Sequence, residues 1–417
     1  MAQSDPPAAL KLPSAEAVAS LRLASERRMM TDLLADPEIA GRAKEALSCA
    51  ETDANRRRLL ARGLRVTERI IPSLVQAVNL AQRIAHLGER PLEIYVYESP
   101  VQNACCMDMG EGRVTCAFSS SMVERLTLRE LLSVIGHEMG HVLFRHMELP
   151  AAAILQKSQG LPSGLAMKLM SWSRHAEISA DRLGLACCQD LRAATTALIK
   201  ISCGLREPML QFNAEDYLAQ MKDIQTLSDT VEDAEDWFST HPFNPLRVAA
   251  LNHLWESQLL SGLIGQGPGT LRTEELDARI EALLSAMEPG TVEAKESSAR
   301  ECVLWGGYWV SAGDGKITAE ECRAIRGLTD EKTAQAAEAE LRGAQDLLPL
   351  IKKKFADAAR RCRKLSSADR HALVQKLIVV ARADSRVADG EKAVLREICS
   401  ALKVNPSFVE TILRMTE

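Results

Sequence analysis

The stretch Gly136-His137-Glu138-Met139-Gly140-His141 lies near the end of a long apolar run from Leu126 to Leu149. On a helix, residues four apart project from one face, so His137 and His141 can bind one Zn²⁺ ion together. Glu138 projects about 100° further round the helix, where it can hold a water molecule rather than ligate the metal. Zinc lowers the pKa of such a water to roughly 7, and a glutamate can then act as its general base. The stretch therefore predicts a metal-binding helix that carries its own base.

Neighbouring residues support the helix. Thr127 and Glu130 have the spacing of a capping box at its start. Gly136 and Gly140 each cost roughly 1 kcal/mol relative to Ala in a helix interior, so we expect another element or a bound chain to pack close to this backbone. Apolar residues surround the helix, which predicts a buried position: Leu131, Leu132, Val134, Ile135, Met139, Val142 and Leu143.

The composition indicates a globular protein of more than one domain. The 417 residues predict two or three domains, and 46% hydrophobic with 26% charged residues suit packed cores. The net charge of −5 does not favour nucleic acid or an anionic membrane as a partner.

Residues 1–13 are small, polar and proline-rich, which predicts a disordered N-terminus without a signal peptide. Uninterrupted apolar runs stay short of the ~18 residues of a spanning helix, so no transmembrane segment is expected. The 11 cysteines include no Cys-x-x-Cys pair. This usage favours reduced thiols and a cytoplasmic location.

An acidic motif follows the predicted metal-binding helix in the sequence. Glu177 and Asp181 are four residues apart in a segment that continues as a helix to Cys188. A carboxylate from a second helix can complete a His₂Glu zinc site and leave the fourth position to water. Asp181 can then accept a hydrogen bond from a ligand imidazole. The alternative is a solvated acidic pair.

The remaining pattern up to residue 262 is mostly helical with a small sheet. Residues 14–88 have helical patterns, including one long segment from Asp53 to His86. Leu92–Tyr97 is rich in β-branched and aromatic residues and predicts a strand. Residues 103–109, the 110–112 turn and residues 113–118 predict a hairpin. The predicted fold class is mostly α with a small antiparallel β-sheet, an α+β zincin-like arrangement, followed by a separate all-α C-terminal domain.

Four motifs together resemble the HtpX and CAAX-endopeptidase-like zinc metallopeptidases, which are gluzincins of peptidase family M48. They are the hairpin with Asn103-Ala104, the His137-to-His141 helix, the Glu177-to-Asp181 helix and the Thr240-His241-Pro242 loop. The resemblance covers roughly residues 65 to 256. The absence of predicted spanning helices makes the chain resemble the soluble branch.

The resemblance implies a role for each motif. It implies that Zn²⁺ is bound by His137, His141 and Glu177, with Asp181 supporting a ligand. It implies that Glu138 is the base and that His241 steadies the oxyanion of the tetrahedral intermediate. The substrate is then expected to lie as an added strand along residues 103–109, on Asn103 and Ala104.

Two local features leave alternatives open. Cys105-Cys106 follows Asn103-Ala104, and a thiolate there could ligate zinc and keep the enzyme latent; simple packing is the other interpretation. A metzincin would need a third histidine ten residues after the first and an intervening glycine. His146 comes nine residues after His137 without such a glycine, so we expect it to be structural.

The C-terminal part begins after a glycine-rich stretch. We predict a metallopeptidase domain over residues 14–262, made of a helical part at 14–89 and a catalytic core at 90–262. The stretch at 263–275 is the expected linker, and 276–417 the expected all-helical domain.

The C-terminal domain contains an internal repeat of acidic turns. Asp314 precedes Glu321 by seven residues, and Asp384 precedes Glu391 by seven. The first copy lacks half of the ligands of an EF-hand. The repeat resembles the TerB-like (tellurite-resistance) domain, which implies a divalent cation held between two facing acidic turns. The alternative is two capped helix turns without an ion.

The sequence as a whole predicts a cytoplasmic zinc endopeptidase that acts on proteins or peptides. Its C-terminal domain is expected to regulate it or to bind a partner protein. The alternative is a latent or non-cleaving protein that keeps the zinc fold and acts through its TerB-like domain. The intact Glu138 favours the enzyme, because a binding role needs no general base.

Overall fold

A computed structural model of the chain describes the following residues: 10–48, 52–108, 113–157, 161, 163–206, 209–211, 213–228, 241–287, 297–329, 331–343, 346–363, 365, 367–384 and 387–416. The chain divides into two compact units. Unit 1 comprises Met1–Gln156, Lys168–Lys222 and Thr240–Leu284; unit 2 comprises Lys157–Met167, Asp223–Ser239 and Ser285–Glu417. The predicted disorder of residues 1–13 falls largely outside the described residues.

Unit 1 opens with short helices whose ends follow the sequence. The Ser14 side chain accepts a hydrogen bond from the Ala17 amide and caps the first helix. Pro37 begins the third helix, as its preset backbone angle favours at a first turn. These helices are α1 (Ala15–Ala19), α2 (Ala24–Ala35), α3 (Pro37–Ser48) and α4 (Thr52–Arg62).

A four-stranded sheet follows, in the order β1-β2-β4-β3. Its strands are β1 (Leu64–Val66), β2 (Leu92–Tyr97), β3 (Ala104–Asp108) and β4 (Val114–Ser119). β3 and β4 pair antiparallel, which confirms the predicted hairpin; residues 110–112 of its turn lie outside the described residues. β2 and β4 pair parallel. The sheet is therefore mixed rather than purely antiparallel, because β3 turns back at the edge and β4 runs beside β2 in the same direction.

The predicted helical segment from Asp53 to His86 is interrupted by β1. Gly63 ends α4, and a Cβ there would lie 2.9 Å from the Leu59 carbonyl oxygen and 3.2 Å from that of Val96. Only glycine fits this close approach, so the chain leaves the helix and pairs with β2. The helix α5 (Pro72–Ile84) then begins at a proline.

The helix that carries the histidine pair is α7, and it has the predicted capping box between Thr127 and Glu130. It packs against α5, α10 and β3. The remaining helices of this part are α6 (Ser120–Arg125), α7 (Leu128–Leu143), α8 (Ala151–Lys157), α9 (Ser163–Cys188), α10 (Leu191–Cys203), α11 (Ala214–Ser228), α12 (Asn244–Glu256), α13 (Gln258–Ile264) and α14 (Thr273–Leu284).

The helix α14 begins at the end of the expected linker of residues 263–275, and the domain bounds around that linker stay a prediction. The helix α14 is grouped with unit 1, where it packs against α12. Arg182 of α9 donates a 2.8 Å hydrogen bond to Asp277, and a ring nitrogen of His175 lies 3.2 Å from Glu281. These polar contacts fix α14 to α9, which the glycine-rich sequence before it did not indicate.

Unit 2 contains helices and no strand among its described residues, as predicted for the C-terminal domain. The helix α15 lies at its centre, where Cys302, Tyr308 and Val310 are buried and α18, α19 and α20 pack around it. The helices are α15 (Ser297–Ser311), α16 (Ala319–Leu328), α17 (Glu331–Gly343), α18 (Leu347–Cys362), α19 (Ser367–Ala381), α20 (Asp389–Leu402) and α21 (Ser407–Thr416). Across both units, none of the described helices has both the length and the apolar character needed to cross a bilayer.

Candidate metal centre

Three predicted ligands converge between α7 and α9. His137, His141 and Glu177 each place one ligand atom within 4.8 Å of the others, and no other described residues form such a group. The two Nε2 atoms are 3.2 Å apart, and Glu177 oxygens lie 3.5 Å and 3.4 Å from those of His137 and His141. Ligand atoms around a tetrahedral zinc with bonds of about 2.0–2.2 Å are about 3.3–3.5 Å apart. The group therefore has the spacing of a His₂Glu site and could hold a metal ion.

The glycines of α7 allow α9 to approach this closely. A Cβ on Gly136 would lie 2.6 Å from the Cys187 Cβ, and one on Gly140 would lie 2.9 Å from the Ala180 Cα. Both distances are too short for a real contact. The expectation that another element packs against this backbone is confirmed, and the element is the helix that carries Glu177.

Asp181 contacts the His137 ring nitrogen that faces away from the metal position, and Arg247 in turn binds Asp181. The Asp181 Oδ1 atom lies 2.8 Å from His137 Nδ1. Arg247, in the first turn of α12, donates from Nε and from a terminal nitrogen to the two Asp181 oxygens at 2.8 Å and 2.6 Å. Burial opposes ionisation of Asp181, but the Arg247 charge holds the pKa of this carboxyl well below its usual range. An ionised Asp181 fixes the His137 ring with Nε2 toward the metal position.

His146 occupies the equivalent position behind the other ligand. Its Nδ1 atom lies 2.9 Å from His141 Nδ1, and its Nε2 atom lies 3.6 Å from Glu26 Oε1. Glu26 is fully buried and accepts hydrogen bonds from Arg22 at 2.6 Å and Trp172 at 3.0 Å. His146 thus contacts the far nitrogen of a ligand and is not in the ligand group, in contrast to a metzincin.

Burial and neighbouring charges set the protonation of the ligand group. Burial lowers the pKa of His141 to about 3, which keeps its imidazole neutral and able to bind a metal. Burial opposes ionisation of Glu177, but His137, His141 and Arg247 lower the pKa of its carboxyl to about 2. Glu177 is therefore a carboxylate at neutral pH.

Glu138 lies between the ligand group and the sheet edge. One of its oxygens accepts a 3.3 Å hydrogen bond from the Cys106 amide of β3. Burial and the charge of Glu177 together raise the pKa of this carboxyl to about 7, against the opposing influence of His137. A carboxyl with a pKa near neutrality can both accept and donate a proton at physiological pH.

A cavity of ≈ 190 Å³ joins these groups to the predicted substrate positions. Asn103, Ala104, Glu138, Glu177 and His241 all line it. The His241 Nε2 atom lies 3.6 Å from Glu177 Oε1, and its side chain is 65% exposed. Its neighbour Thr240 lies outside the described residues. The apolar part of the wall comes from α7, α10 and α12: Val134, Ala194, Ala197, Leu198, Ile201 and Leu251.

The two adjacent cysteines point to opposite faces of the sheet. The Cys106 Sγ atom lies 2.8 Å from Cys116 Sγ on β4. Cys105 lines a different cleft, beside α4, and burial raises its thiol pKa to about 11. Neither cysteine belongs to the ligand group, so their placement favours packing over ligation.

The acidic turns of unit 2 are adjacent to each other. A Cβ on Gly313 would lie 2.9 Å from the Glu391 Cα. Glu391 Oε2 accepts a 2.7 Å hydrogen bond from the Ala388 amide, and Glu321 Oε2 accepts one of 2.7 Å from the Thr318 amide. Both glutamates therefore cap their own helices.

Charge accumulates where these turns meet. Burial, with the charges of Glu321, Asp384 and Asp314, raises the pKa of Glu391 to about 7. These carboxylates do not form a three-ligand group among the described residues. A divalent cation at Asp314, Glu321, Asp384 and Glu391 stays a prediction.

Sequence reasoning did not assign a contact with the ligands or a supporting role to three residues. Arg247 comes six residues after His241 and follows a proline-rich stretch, and an arginine near a predicted metal site was the only available indication. His146 was expected to be structural without a partner, and Glu26 carried no motif. Each acts through a contact between residues that are distant in sequence or on separate elements.

Comparison with known proteins finds a family match in each part of the chain. Residues 68–255 match Peptidase family M48, and residues 307–413 match Tellurite resistance protein TerB. The plastoglobule-localized metallopeptidase 48, chloroplastic, of Arabidopsis thaliana is 26% identical over 181 residues, covering 40% of this chain and 52% of the relative. The chain therefore spans about half the length of that relative. The protein carries a peptidase family M48 domain followed by a TerB domain.

Proposed function

We propose that this protein is a zinc-dependent endopeptidase. The observation that carries the proposal is the His₂Glu group with the spacing of tetrahedral zinc ligands, in one cavity with Glu138. The edge strand β3 borders this cavity through Ala104, so an extended peptide can reach the metal position along it.

The side chains have distinct proposed roles. His137, His141 and Glu177 would hold Zn²⁺, which when bound supplies a Lewis acid for the scissile carbonyl and lowers the pKa of water. Glu138 would accept the proton of the attacking water and pass it to the leaving amine. His241 would donate a hydrogen bond to the carbonyl oxygen as negative charge develops there.

A non-cleaving zinc-fold protein is the alternative. Such a protein would need the ligand group but not a carboxyl group held between that group and the sheet edge. The hydrogen bond from the Cys106 amide to Glu138 at 3.3 Å supports the enzyme. Incubation with casein and zinc, with and without a chelator, distinguishes the two. Chelator-sensitive cleavage is expected, and no cleavage by the zinc-loaded chain would favour the alternative.

We propose a regulatory or partner-binding role for the TerB domain, with a divalent cation at its acidic turns. The two acidic turns lie against each other at Gly313 and Glu391, which supports a cation; burial, with the charges of Glu321, Asp384 and Asp314, raises the pKa of Glu391 to about 7. Calorimetric titration of the full chain with Ca²⁺ and Mg²⁺ tests it, since neither suits the His₂Glu site. We expect heat of binding with the unmodified chain and none with the Asp314→Asn, Asp384→Asn variant. If the unmodified chain gives no heat either, the turns are two capped helix turns without an ion.

A cytoplasmic location is part of the proposal. It is supported by the absence of a disulfide among the ten cysteines that the structure describes. The plant relative is named for chloroplast plastoglobules, so cell fractionation is the appropriate test. Recovery of the protein in an organelle fraction would contradict this part.

A further inference from the structure

We infer that a second cleft, between α4 and the sheet edge, binds alternate side chains of the substrate and selects acidic ones. This inference rests on the proposed endopeptidase function, because it concerns the same bound peptide. The cleft measures ≈ 600 Å³ and lies on the face of β3 opposite the metal site. Pockets of this size are typical of ligand-binding sites.

The alternation of β3 separates the two cavities. Ala104 lines the metal cavity, whereas Cys105 and Met107 line the second cleft. Successive side chains of a strand point to opposite faces of its sheet. One strand therefore borders both cavities, with one on each face.

The outward main-chain groups of β3 show where a peptide would pair. The Cys106 amide donates to Glu138 rather than to β4, so this residue directs its main-chain groups away from the sheet. In an antiparallel ladder these outward groups recur at every second residue, which here are Ala104 and Cys106. A peptide strand added at this edge would pair with them, its carbonyl oxygen replacing Glu138 as the acceptor of the Cys106 amide.

An added strand would insert side chains into both cavities. A substrate residue opposite Ala104 or Cys106 points to the metal side, and one opposite Cys105 or Met107 points into the second cleft. Two substrate side chains, two residues apart, would thus occupy the cleft. The substrate residue between these two would place its side chain on the metal side.

The charge of the cleft favours acidic side chains. Arg58 and Arg62 lie on the face of α4 that lines the cleft. Glu98 is the one carboxylate among the lining residues, so the lining has a net charge of +1. Among the described residues, neither arginine forms an ion pair; a terminal nitrogen of Arg58 donates a 3.3 Å hydrogen bond to Asn55 Oδ1. The floor is apolar, formed by Leu59, Tyr97, Cys105, Met107 and Ala117. An acidic residue with a methylene stem matches this lining.

Paired peptides and a charge reversal test the inference. Random-sequence peptides are first digested with the zinc-loaded full chain, and the cleavage sites are mapped by mass spectrometry. We expect Asp and Glu to be enriched at positions two residues apart near the scissile bond. Two peptides are then compared that differ only in Glu or Lys at the enriched position.

The charge reversal Arg58→Glu, Arg62→Glu should act in opposite directions on these peptides. We expect kcat/KM to fall about 3- to 30-fold for the Glu peptide and to rise by a similar factor for the Lys peptide. Arg57→Glu is the matched control, because Arg57 is exposed on the same helix and does not line the cleft. This control variant should change kcat/KM by no more than about 2-fold for either the Glu or the Lys peptide.

The possible failures are distinguishable. Cleavage without any preference for acidic residues, or an equal effect of the reversal on both peptides, would overturn this inference and leave the endopeptidase intact. If no peptide is cleaved, the proposed function fails, and binding decides the inference. Fluorescence polarisation with labelled Glu and Lys peptides should then still show that the Glu peptide binds more tightly, and the double variant should reverse this preference. Equal affinities for the two peptides would refute the inference that the cleft selects acidic side chains.

Discussion

Gly140 of α7 and Ala180 of α9 touch through their backbones, so closely that a Cβ on Gly140 would lie 2.9 Å from the Ala180 Cα. This contact sets the distance between the helix with two histidines and the helix with Glu177. The ligand group therefore depends on the absence of a side chain one residue before His141.

Gly140→Ala should weaken metal binding. The added methyl group forces α9 away, and the Glu177 carboxylate moves with it. We expect at least a 10-fold loss of zinc affinity, the scale of changes in the residues that orient ligands, measured by competition with a chelating dye. Gly41→Ala in α3 is the control, because no atom lies within 4 Å of its new Cβ. Equal zinc affinity of the Gly140 variant and the control would contradict the packing argument.

Arg247→Met should weaken zinc binding through Asp181. Loss of the two hydrogen bonds leaves Asp181 buried without its cation and free to turn from His137. The expected loss is about 10- to 100-fold in affinity. Arg192→Met, an exposed arginine on α10, should have no effect. An unchanged affinity in the Arg247 variant would show that Asp181 does not need this partner.

The predictability of the site follows from the range of its contacts. His137, Glu138 and His141 were identifiable because helix periodicity alone places them, and the capping box marked where the helix begins. Glu177 and Asp181 followed from the same local spacing. Arg247, His146 and Glu26 act across separate elements, so no local spacing indicated them.

The fold shows the same limit. The β3–β4 hairpin is a local pairing and was predicted. The strands β2 and β4 pair parallel although they are not adjacent in sequence. The three residues of β1, Leu-Arg-Val, are too few for their alternation to predict a strand. Both depend on tertiary contacts that composition and periodicity do not encode.

Lys200→Met should destabilise unit 1. The Lys200 Nζ atom lies 2.9 Å from Glu130 Oε2, and the two residues are only 1% and 4% exposed. Removal of the cation leaves a buried carboxylate, which costs roughly 3–5 kcal/mol in the free energy of unfolding. Chemical denaturation measures the loss. Addition of Glu130→Gln should recover part of it, and a loss in the single variant below about 1 kcal/mol would mean that the pair is solvated.

Glu93 should make the protein lose stability in acid. Hydrogen bonds from Arg56, then from Arg113 and Tyr95, lower the pKa of this carboxyl from 4.5 to about 2. Between those values the unfolded chain binds a proton that the folded chain does not, so stability falls as the pH falls from about 4.5 to about 2. The contribution is up to roughly 3 kcal/mol and is fully present above pH 4.5.

Glu93→Gln removes this titration. The variant should be less stable at neutral pH and should lose less stability between pH 5 and pH 2 than the unmodified chain, as followed by thermal unfolding. Parallel pH curves for the two proteins would contradict the assignment.

Cys105→Ser should not raise the cleavage of a peptide that carries no acidic residues. Its side chain lines the α4 cleft and not the metal cavity, and it does not belong to the ligand group. The rate in the presence of zinc, at equal protein concentration, is the measurement. A marked rise would support a thiolate that keeps the enzyme latent.

The most direct test of the zinc endopeptidase is Glu138→Gln, assayed for metal content and for cleavage on the same sample. The glutamine keeps the volume and the hydrogen bond from the Cys106 amide but cannot accept a proton at neutral pH. Mass spectrometry should find one zinc per chain, as in the unmodified protein, while casein cleavage falls by at least about 100-fold. Full zinc content with undiminished cleavage would contradict the role of Glu138 and, with it, the account of this site.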